Sequence, residues 1–269
     1  MAFAAKPKTA KRFARWPIVR NADSPQAKGL RAWWPLYRLD DAYDLGPAGK
    51  FRLVRQAAGV TWVADGQRGF VASFDNTSNA KFQGTGLAPL AAPPITITGW
   101  FVHSSSATVD RIFSIADGSS DTIRAWTTSA NKMLVQEIGA TANEKVVGSI
   151  GITTSSWMHF AFTTDGANKE LFIDGVSDKT GSVNVGAHSW VDVAVGGTAW
   201  TSGANYNGEL SDWRIYDRIL SSSEIAFLVE EPWDLFHEIV RRTIIIFGAS
   251  GATKQLAGVS TTQTTGAGL

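Results

Sequence analysis

The sequence predicts an all-β fold, in which one antiparallel β-sandwich takes up most of the chain and a single short helix follows near its end. Between about Leu30 and Tyr216 the chain consists of short strand-like runs separated by Gly, Asn, Asp and Ser. Apolar residues in these runs recur with a period of two, the period of a strand, and not 3.6. The 269 residues are 44% hydrophobic and include 14 Phe and 11 Trp, enough to build one large core without disulfides.

The run ITITGWFV predicts a central strand. Ile95, Ile97 and Phe101 fall on one face, while Trp100 and Val102 fall on the other together with two threonines. Both faces carry bulky side chains. We therefore expect both to be covered.

Two neighbouring runs, WMHFAFTT and LFIDGV, predict one β-meander, with a first turn at Thr164 to Gly166 between them. Met158, Phe160 and Phe162 alternate with the residues of the opposite face. Asp174 and Gly175 form the dipeptide that best tolerates the positive φ angles of a tight hairpin turn.

The segment LSSSEIAFLVEEP predicts the helix. Ser221 and Glu224 have the spacing of a capping box, and Leu220 can pack on Ile225 as a hydrophobic staple. Pro232 bounds the helix on its far side. We expect a short amphipathic helix against the sandwich.

Composition excludes several classes of function. The chain has no Cys, which excludes thiolate zinc sites and a cysteine nucleophile. Its formal charge is +1, so no overall charge attracts nucleic acid or anionic lipid. No apolar run is long enough to cross a bilayer, and we expect a soluble chain without a classical secretion signal.

Both ends differ in composition from the middle. The first 20 residues carry six Lys or Arg and no acid, and residues after 250 are rich in Gly, Ala, Ser and Thr. We therefore divide the chain into a basic arm (1–28), the sandwich (29–229) and a docking segment with a flexible tail (230–269).

Five motifs, in this order, resemble those of laminin G-like domains of the concanavalin A-like lectin/glucanase family: GLRAWWPL, GFVASFDN, ITITGWF, WMHFAFTTDGANKELFIDGV and GELSDWRIYDRILSSSEI. The resemblance spans about Gly29 to Val229. It implies a jelly-roll sandwich, a fold placed on many proteins for adhesion or recognition. A looser resemblance, of EPWDLF after the helix, is to virion proteins of tailed bacteriophages.

Some relatives of this fold are glycoside hydrolases with a Glu-x-Asp-x-x-Glu strand, and this chain has no such triplet. Glu209 and Asp212 are three residues apart, which in a regular strand would point them to opposite faces. The four His are scattered, without the spacing of a metal or catalytic motif. We therefore expect no catalytic residues.

Calcium is the one cofactor that the resemblance suggests, since such domains often hold an ion in loops at a sandwich edge. Asp117 and Asp121 in ADGSSD are the candidate ligands, with Asn76 and Asn79 elsewhere. A role as ordinary turn residues explains them equally well.

A sugar site needs an exposed aromatic ring beside hydrogen-bonding groups. Trp126, Trp200 and Tyr206 stand in polar, loop-like contexts and fit this requirement best. The alternative is burial, because Trp is usually largely buried in sandwiches.

The ends predict assembly contacts. Basic and apolar anchors at the N-terminus would lie on an acidic partner, and an apolar C-terminal run would add an edge strand to another sheet. The residues concerned are Lys11, Arg12, Phe13, Arg15, Trp16, Trp233, Phe236, Ile244, Ile245, Ile246 and Phe247. A solvated tail and a strand packed on its own domain are the alternatives.

The first functional hypothesis is a non-enzymatic structural or decoration protein of a phage-like virion, attached through its termini to capsid or tail proteins and to copies of itself. It would be made in the host cytoplasm and would not bind membrane. Any contact with nucleic acid would be made by the basic N-terminal arm. The second is a carbohydrate-binding adhesion module for a host-surface glycan, and the third is a glycoside hydrolase.

Overall fold

The structure is a computed structural model of the chain. It describes residues 18–37, 41–47, 49–77, 79–85, 93–105, 109–118, 120–139, 142–186, 190–200, 206–238, 246–247 and 253–254. At residues 18, 19, 121, 236–238, 246–247 and 253–254 it describes the backbone alone.

Nearly all regular structure in this part of the chain is β-strand. The strands are β1 (Ile18–Arg20), β2 (Leu30–Trp34), β3 (Val54–Arg55), β4 (Val60–Asp65), β5 (Gly69–Asp75), β6 (Phe82–Gly84), β7 (Ile95–His103), β8 (Arg111–Ala116), β9 (Asp121–Thr127), β10 (Lys132–Ile138), β11 (Asn143–Gly151), β12 (Trp157–Thr164), β13 (Lys169–Ile173), β14 (Val176–Gly181), β15 (Asp192–Val195), β16 (Asn207–Tyr216), β17 (Phe236–Glu238), β18 (Ile246–Phe247) and β19 (Thr253–Lys254). Helix α1 spans Ser222–Glu230, and a single 3-10 turn spans Pro25–Ala27.

Two antiparallel sheets form the sandwich. The seven-stranded sheet has the order β11-β10-β9-β8-β15-β6-β3, and the eight-stranded sheet has the order β14-β13-β12-β7-β16-β5-β4, with β2 beside the second half of β16. The prediction of an all-β jelly-roll sandwich is confirmed.

Strand β7 is central, as its two apolar faces predict. It lies between β12 and β16, and all nine of its residues are buried. Its face toward the other sheet includes Gly99, where an added Cβ would lie 2.4 Å from the ring of Trp213. That ring stacks on Phe113 of the opposite sheet, with centroids 5.0 Å apart. The absence of a side chain at residue 99 thus makes room for the contact between the two sheets.

The predicted hairpin and helix are also confirmed. Asp174 and Gly175 both have positive φ, 50° and 80°, between β13 and β14. The Ser221 side chain accepts a hydrogen bond from the Glu224 amide, and the Glu224 carboxylate accepts one from the Ser221 amide. Leu220 and Ile225 share one buried cluster, in agreement with the staple.

The outer face of the eight-stranded sheet is covered by α1 and by both terminal segments. Arg214 on β16 donates to the side chain of Gln26 at 2.5 Å and to the carbonyl of Pro232 at 3.1 Å. Strand β1 pairs with β17, with Ile18 opposite Glu238. Residues outside the predicted sandwich of 29–229, before its start and after its end, therefore contact the sandwich.

Candidate functional site

The outer face of the seven-stranded sheet carries a row of side chains that crosses six strands. Residues that pair in register are neighbours on one face of a sheet. From β6 to β11 the row is Gln83, Ala194, Ser114, Arg124, Gln136 and Lys145. Five of these six are hydrogen-bonding or charged. Ser114 and Gln136 are buried, at 0% and 7% exposure, so the polar groups that reach the surface are those of Gln83, Arg124 and Lys145.

A second row runs beside the first and is partly apolar. Arg111, Trp126, Leu134 and Val147 pair across β8, β9, β10 and β11. The guanidinium carbon of Arg111 lies 5.1 Å from the centroid of the Trp126 ring, within cation–π range. Trp126 is partly exposed. An aromatic ring with a cation beside it thus flanks the polar row.

The loop after β15 is tied to the same side of the sheet by three side chains. The hydroxyl of Ser114 accepts from the amide of Ala199, and the amide nitrogen of Gln83 donates to the Ala199 carbonyl, both at 2.6 Å. Lys81 donates to the Thr198 carbonyl, also at 2.6 Å. The next residue, Trp200, is 54% exposed. The loop therefore places a second exposed aromatic residue next to the polar row.

Arg124 is the least satisfied group in the row. Its Nε is buried and has no hydrogen-bond partner within the described residues, and no ion pair of Arg124 is found there. Its strand neighbours are Ser114 on one side and Gln136 on the other, both uncharged. Arg124 thus lies on the same face of β9 as Trp126, two residues away, with its Nε donor unsatisfied.

Of the three aromatic residues predicted for sugar binding, two lie on this surface and one does not. Trp126 stands in the second row and Trp200 on the loop. Tyr206 is 0% exposed, and its hydroxyl donates to the carbonyl of Val102 at 2.6 Å. Burial raises the pKa of Tyr206 well above its ordinary value. A ring packed in the core against Phe74 has no face to offer a sugar, which corrects the expectation for Tyr206.

The two candidate calcium ligands lie at the turn between β8 and β9. Asp117 is exposed, and its carboxylate accepts a hydrogen bond from the Ser120 amide at 2.8 Å. Only the backbone of Asp121 is described. Within the described ranges, no three His, Asp or Glu side chains are close enough together to hold a metal. Asn76 and Asn79 both adopt positive φ, as turn residues do.

The structure corrects the expectation for Glu209 and Asp212. A β-bulge in β16 shifts the register between Ser211 and Arg214, so one residue is added and the alternation resets. Leu210 and Trp213 both lie in the core between the sheets, and Glu209 and Asp212 therefore share the outer face. Burial and the charge of Asp65 raise the pKa of Glu209. Asp212 accepts from Arg214 and from Trp33 Nε1 at 2.7 Å, so it is held in a buried ion pair.

The predicted assembly residues are mostly outside the described part of the chain. This applies to Lys11, Arg12, Phe13, Arg15, Trp16, Ile244 and Ile245, and the side chains of Phe236, Ile246 and Phe247 are likewise not described. Trp233 lies on its own domain, with the Arg68 guanidinium carbon 5.6 Å from its ring. The backbone of Ile246 and Phe247 pairs antiparallel with that of Lys254 and Thr253.

The polar row itself is not predicted by the sequence. Ser114, Arg124 and Gln136 stand at alternate positions in the runs RIFSIA, DTIRAWT and KMLVQEI. The period of two would have placed them on an outer face, but only strand order and register bring them into one line.

None of the described helices is long and apolar enough to span a membrane.

Comparison with protein families matches residues 74–226, more than half of the 269, to the concanavalin A-like lectin/glucanases superfamily. Comparison with curated protein sequences gives no match.

Solved structures of the same fold include the binding domain of Paraclostridial Mosquitocidal Protein 1, at 14% identity and TM-score 0.61, where the alignment covers 77% of this chain and 53% of that one. Domain 4 of AbnA, a GH43 extracellular arabinanase from Geobacillus stearothermophilus in complex with arabinotriose, is 18% identical at TM-score 0.57, covering 74% and 98%. Trypanosoma rangeli sialidase is 12% identical at TM-score 0.59, covering 82% and 37%. Binding domains and glycosidases thus share this fold.

Proposed function

The chain belongs to the concanavalin A-like lectin/glucanase superfamily, and from that premise we propose that it is a non-enzymatic module that binds carbohydrate on the outer face of its seven-stranded sheet. The observation that carries the proposal is the position of Trp126 and Trp200 beside one row of hydrogen-bonding side chains. The molecule binds a sugar and releases it unchanged.

The chemistry of the row suits a sugar. A pyranose has an apolar face that stacks on an aromatic ring and hydroxyl groups around its edge that need hydrogen-bond partners. Trp126 and Trp200 supply the rings. Strands in a sheet lie about 4.8 Å apart, so a row that crosses six of them is long enough for an oligosaccharide.

Domain 4 of the arabinanase supports this proposal, because it has the same fold over 98% of its length and was solved with arabinotriose. The sialidase is an enzyme that contains the same fold, so catalysis has to be considered as well. A retaining or inverting glycosidase needs two carboxyl groups that flank the scissile bond. Here Glu209 and Asp212 lie on β16 of the eight-stranded sheet, away from the proposed sugar-binding face, and Asp212 is buried at 3% exposure in its ion pair with Arg214. We therefore propose binding without hydrolysis.

A polysaccharide-binding panel tests the proposal with the variants Trp126→Ala and Trp200→Ala. Each variant should weaken binding of a bound glycan by about tenfold, the usual cost of losing one aromatic anchor. The matched control is Phe227→Ala, because Phe227 is a partly exposed aromatic residue of α1, which packs on the other sheet. Binding that survives both Trp substitutions would overturn the proposed site, and a panel without any bound glycan would overturn the function.

A second function, attachment to a phage-like particle, is favoured by the pairing of the two ends. Because Ile18 lies opposite Glu238, the basic segment before residue 18 and the tail after residue 238 begin side by side. We propose that these two segments together form the attachment point, by which the domain is held on a virion or on copies of itself while the glycan-binding face projects.

Removal of residues 1–17 and of 239–269, separately and together, tests attachment. These cuts spare β1, β17 and the contacts of both terminal segments with the sandwich. We expect the doubly truncated chain to remain folded but to lose self-association in sedimentation and co-purification with particles. Unchanged assembly of that folded chain would rule out attachment through the ends.

A further inference from the structure

We infer that the carbohydrate bound on the outer face of the seven-stranded sheet carries carboxylate groups, and that Arg124 binds one of them. This inference rests on the proposed function and narrows its ligand to an acidic polysaccharide. It depends on the charges of the face, which differ from those of the chain as a whole.

The outer face is basic. Alternation along the strands places Lys132 and Lys145 on the same side as Arg111 and Arg124, since Met133 and Val146 of the same strands lie in the core. The acids of the face are fewer. Asp192 stands on β15 two residues before Ala194 and is buried, and the backbone of β9 brings Asp121 to the same end of the sheet. A chain of formal charge +1 thus gathers four basic residues on one surface.

Arg124 has the geometry for a carboxylate. A guanidinium holds five N–H donors in a planar fork that matches the two oxygens of a carboxylate. The described side chains provide Arg124 with no acidic partner, and its buried Nε has no hydrogen-bond partner there. Leaving a buried donor unsatisfied costs free energy, and a bound anion would remove that cost.

The neighbours of Arg124 complete a site for a sugar acid. Trp126 lies two residues along the same strand and hence on the same face, about 7 Å away. Ser114 and Gln136 lie directly opposite on the flanking strands. Both side chains are buried, at 0% and 7% exposure, and they bond to Ala199 and Asn143. A ring and a cation thus stand on one face, and the uncharged neighbours of Arg124 leave its charge uncompensated.

The test compares polygalacturonate with its methyl ester, which has the same sugar backbone without the charge. The full chain should bind polygalacturonate at least about tenfold more tightly than the ester, and the difference should shrink as salt is raised. Arg124→Gln should remove most of this preference. Arg124→Lys, which keeps the charge but loses the planar fork, should retain part of it.

Lys179→Gln is the matched control, because it removes one exposed charge from β14 of the other sheet. Urea unfolding of each variant shows that the fold is kept. Equal binding of polygalacturonate and its methyl ester, or an unchanged preference in folded Arg124→Gln, overturns this inference. If binding of the methyl ester is nevertheless weakened by Trp126→Ala, the proposed function stands. If neither polymer and no other glycan of the panel binds, both this inference and the proposed carbohydrate-binding function are overturned.

Discussion

Arg68 lies over the ring of Trp100, with its guanidinium carbon 3.5 Å from the ring centroid. Trp157 and Trp233 are also near, at 5.1 Å and 5.6 Å from the same carbon. Arg68 is only 6% exposed, and its Nε and Nη1 find no hydrogen-bond partner among the described residues. Burial lowers the pKa of Arg68 to about 9. Three aromatic faces therefore surround a buried cation, and through Trp233 they join the β4–β5 turn to the C-terminal segment.

Replacement of Arg68 by Met should not weaken the fold. The lowered pKa means that burial of the guanidinium costs the folded chain more than the nearby carboxylates return, and Met keeps the apolar stem among the rings without the unsatisfied N–H groups. We expect the free energy of unfolding in urea to rise by about 1–2 kcal/mol. Arg52→Met is the control, because Arg52 is exposed and its carbon lies 5.0 Å from a single ring, that of Tyr43. Equal effects of the two substitutions would contradict this account.

The ion pair of Asp212 and Arg214 should be far more sensitive than one at the surface. Arg214 is 2% exposed, and Asp212 carries its only carboxylate partner among the described ion pairs. Asp212→Asn leaves that buried charge uncompensated, which costs about 3–5 kcal/mol. Asp217→Asn, beside Arg31 at 3.8 Å in a pair whose side chains are 38% and 39% exposed, should cost less than about 1 kcal/mol. Thermal and urea unfolding compare the two directly, and a similar small loss in both would refute the buried role.

His159 should make the fold sensitive to mild acid. Burial, with a smaller effect from the charges of Arg214 and Arg68, lowers the pKa of His159 from 6.5 to about 3. Between these values the unfolded chain binds a proton that the folded chain does not, so stability falls as pH decreases from 6.5 toward 3. The expected slope is about 1.4 kcal/mol per pH unit.

His159→Gln removes this contribution. The difference in unfolding free energy between wild type and His159→Gln should therefore change by about 2–3 kcal/mol between pH 6.5 and 4.5, with the wild type losing more. Any constant packing cost of the substitution cancels in this comparison. Parallel pH profiles would show that His159 is not buried in its neutral form.

The start of α1 gives a pH dependence in a lower range. A hydrogen bond from Arg218 and those from Ser221 lower the pKa of Glu224 from 4.5 to about 2. The stabilisation by ionised Glu224 is fully present above pH 4.5 and is lost as pH falls toward 2. Glu224→Gln should lower stability by about 1 kcal/mol at pH 7, the usual value of a capping interaction, and by nothing near pH 2. Circular dichroism during urea unfolding at several pH values measures the difference, and a constant difference would speak against it.

Local patterns in the sequence determined several elements of this protein. The period of two identified β7 and β12 and their inward residues, because side chains alternate between the two faces of any regular strand, whichever strands pair with it. Asp174-Gly175 and the Ser221–Glu224 capping box depend on neighbours within a few residues, so the turn and the helix start were predictable. The order of five motifs was sufficient for the fold class.

The tertiary structure alone decided the site. One residue added in β16 placed Glu209 and Asp212 on the same face, and no local signal marks a bulge that depends on the neighbouring strands. Tyr206 and Trp200 stand in similar polar contexts, yet one is in the core and the other is exposed. Whether a loop residue is buried, and which side chains form one row, depends on strand order and register, which are set by contacts between residues far apart in the chain.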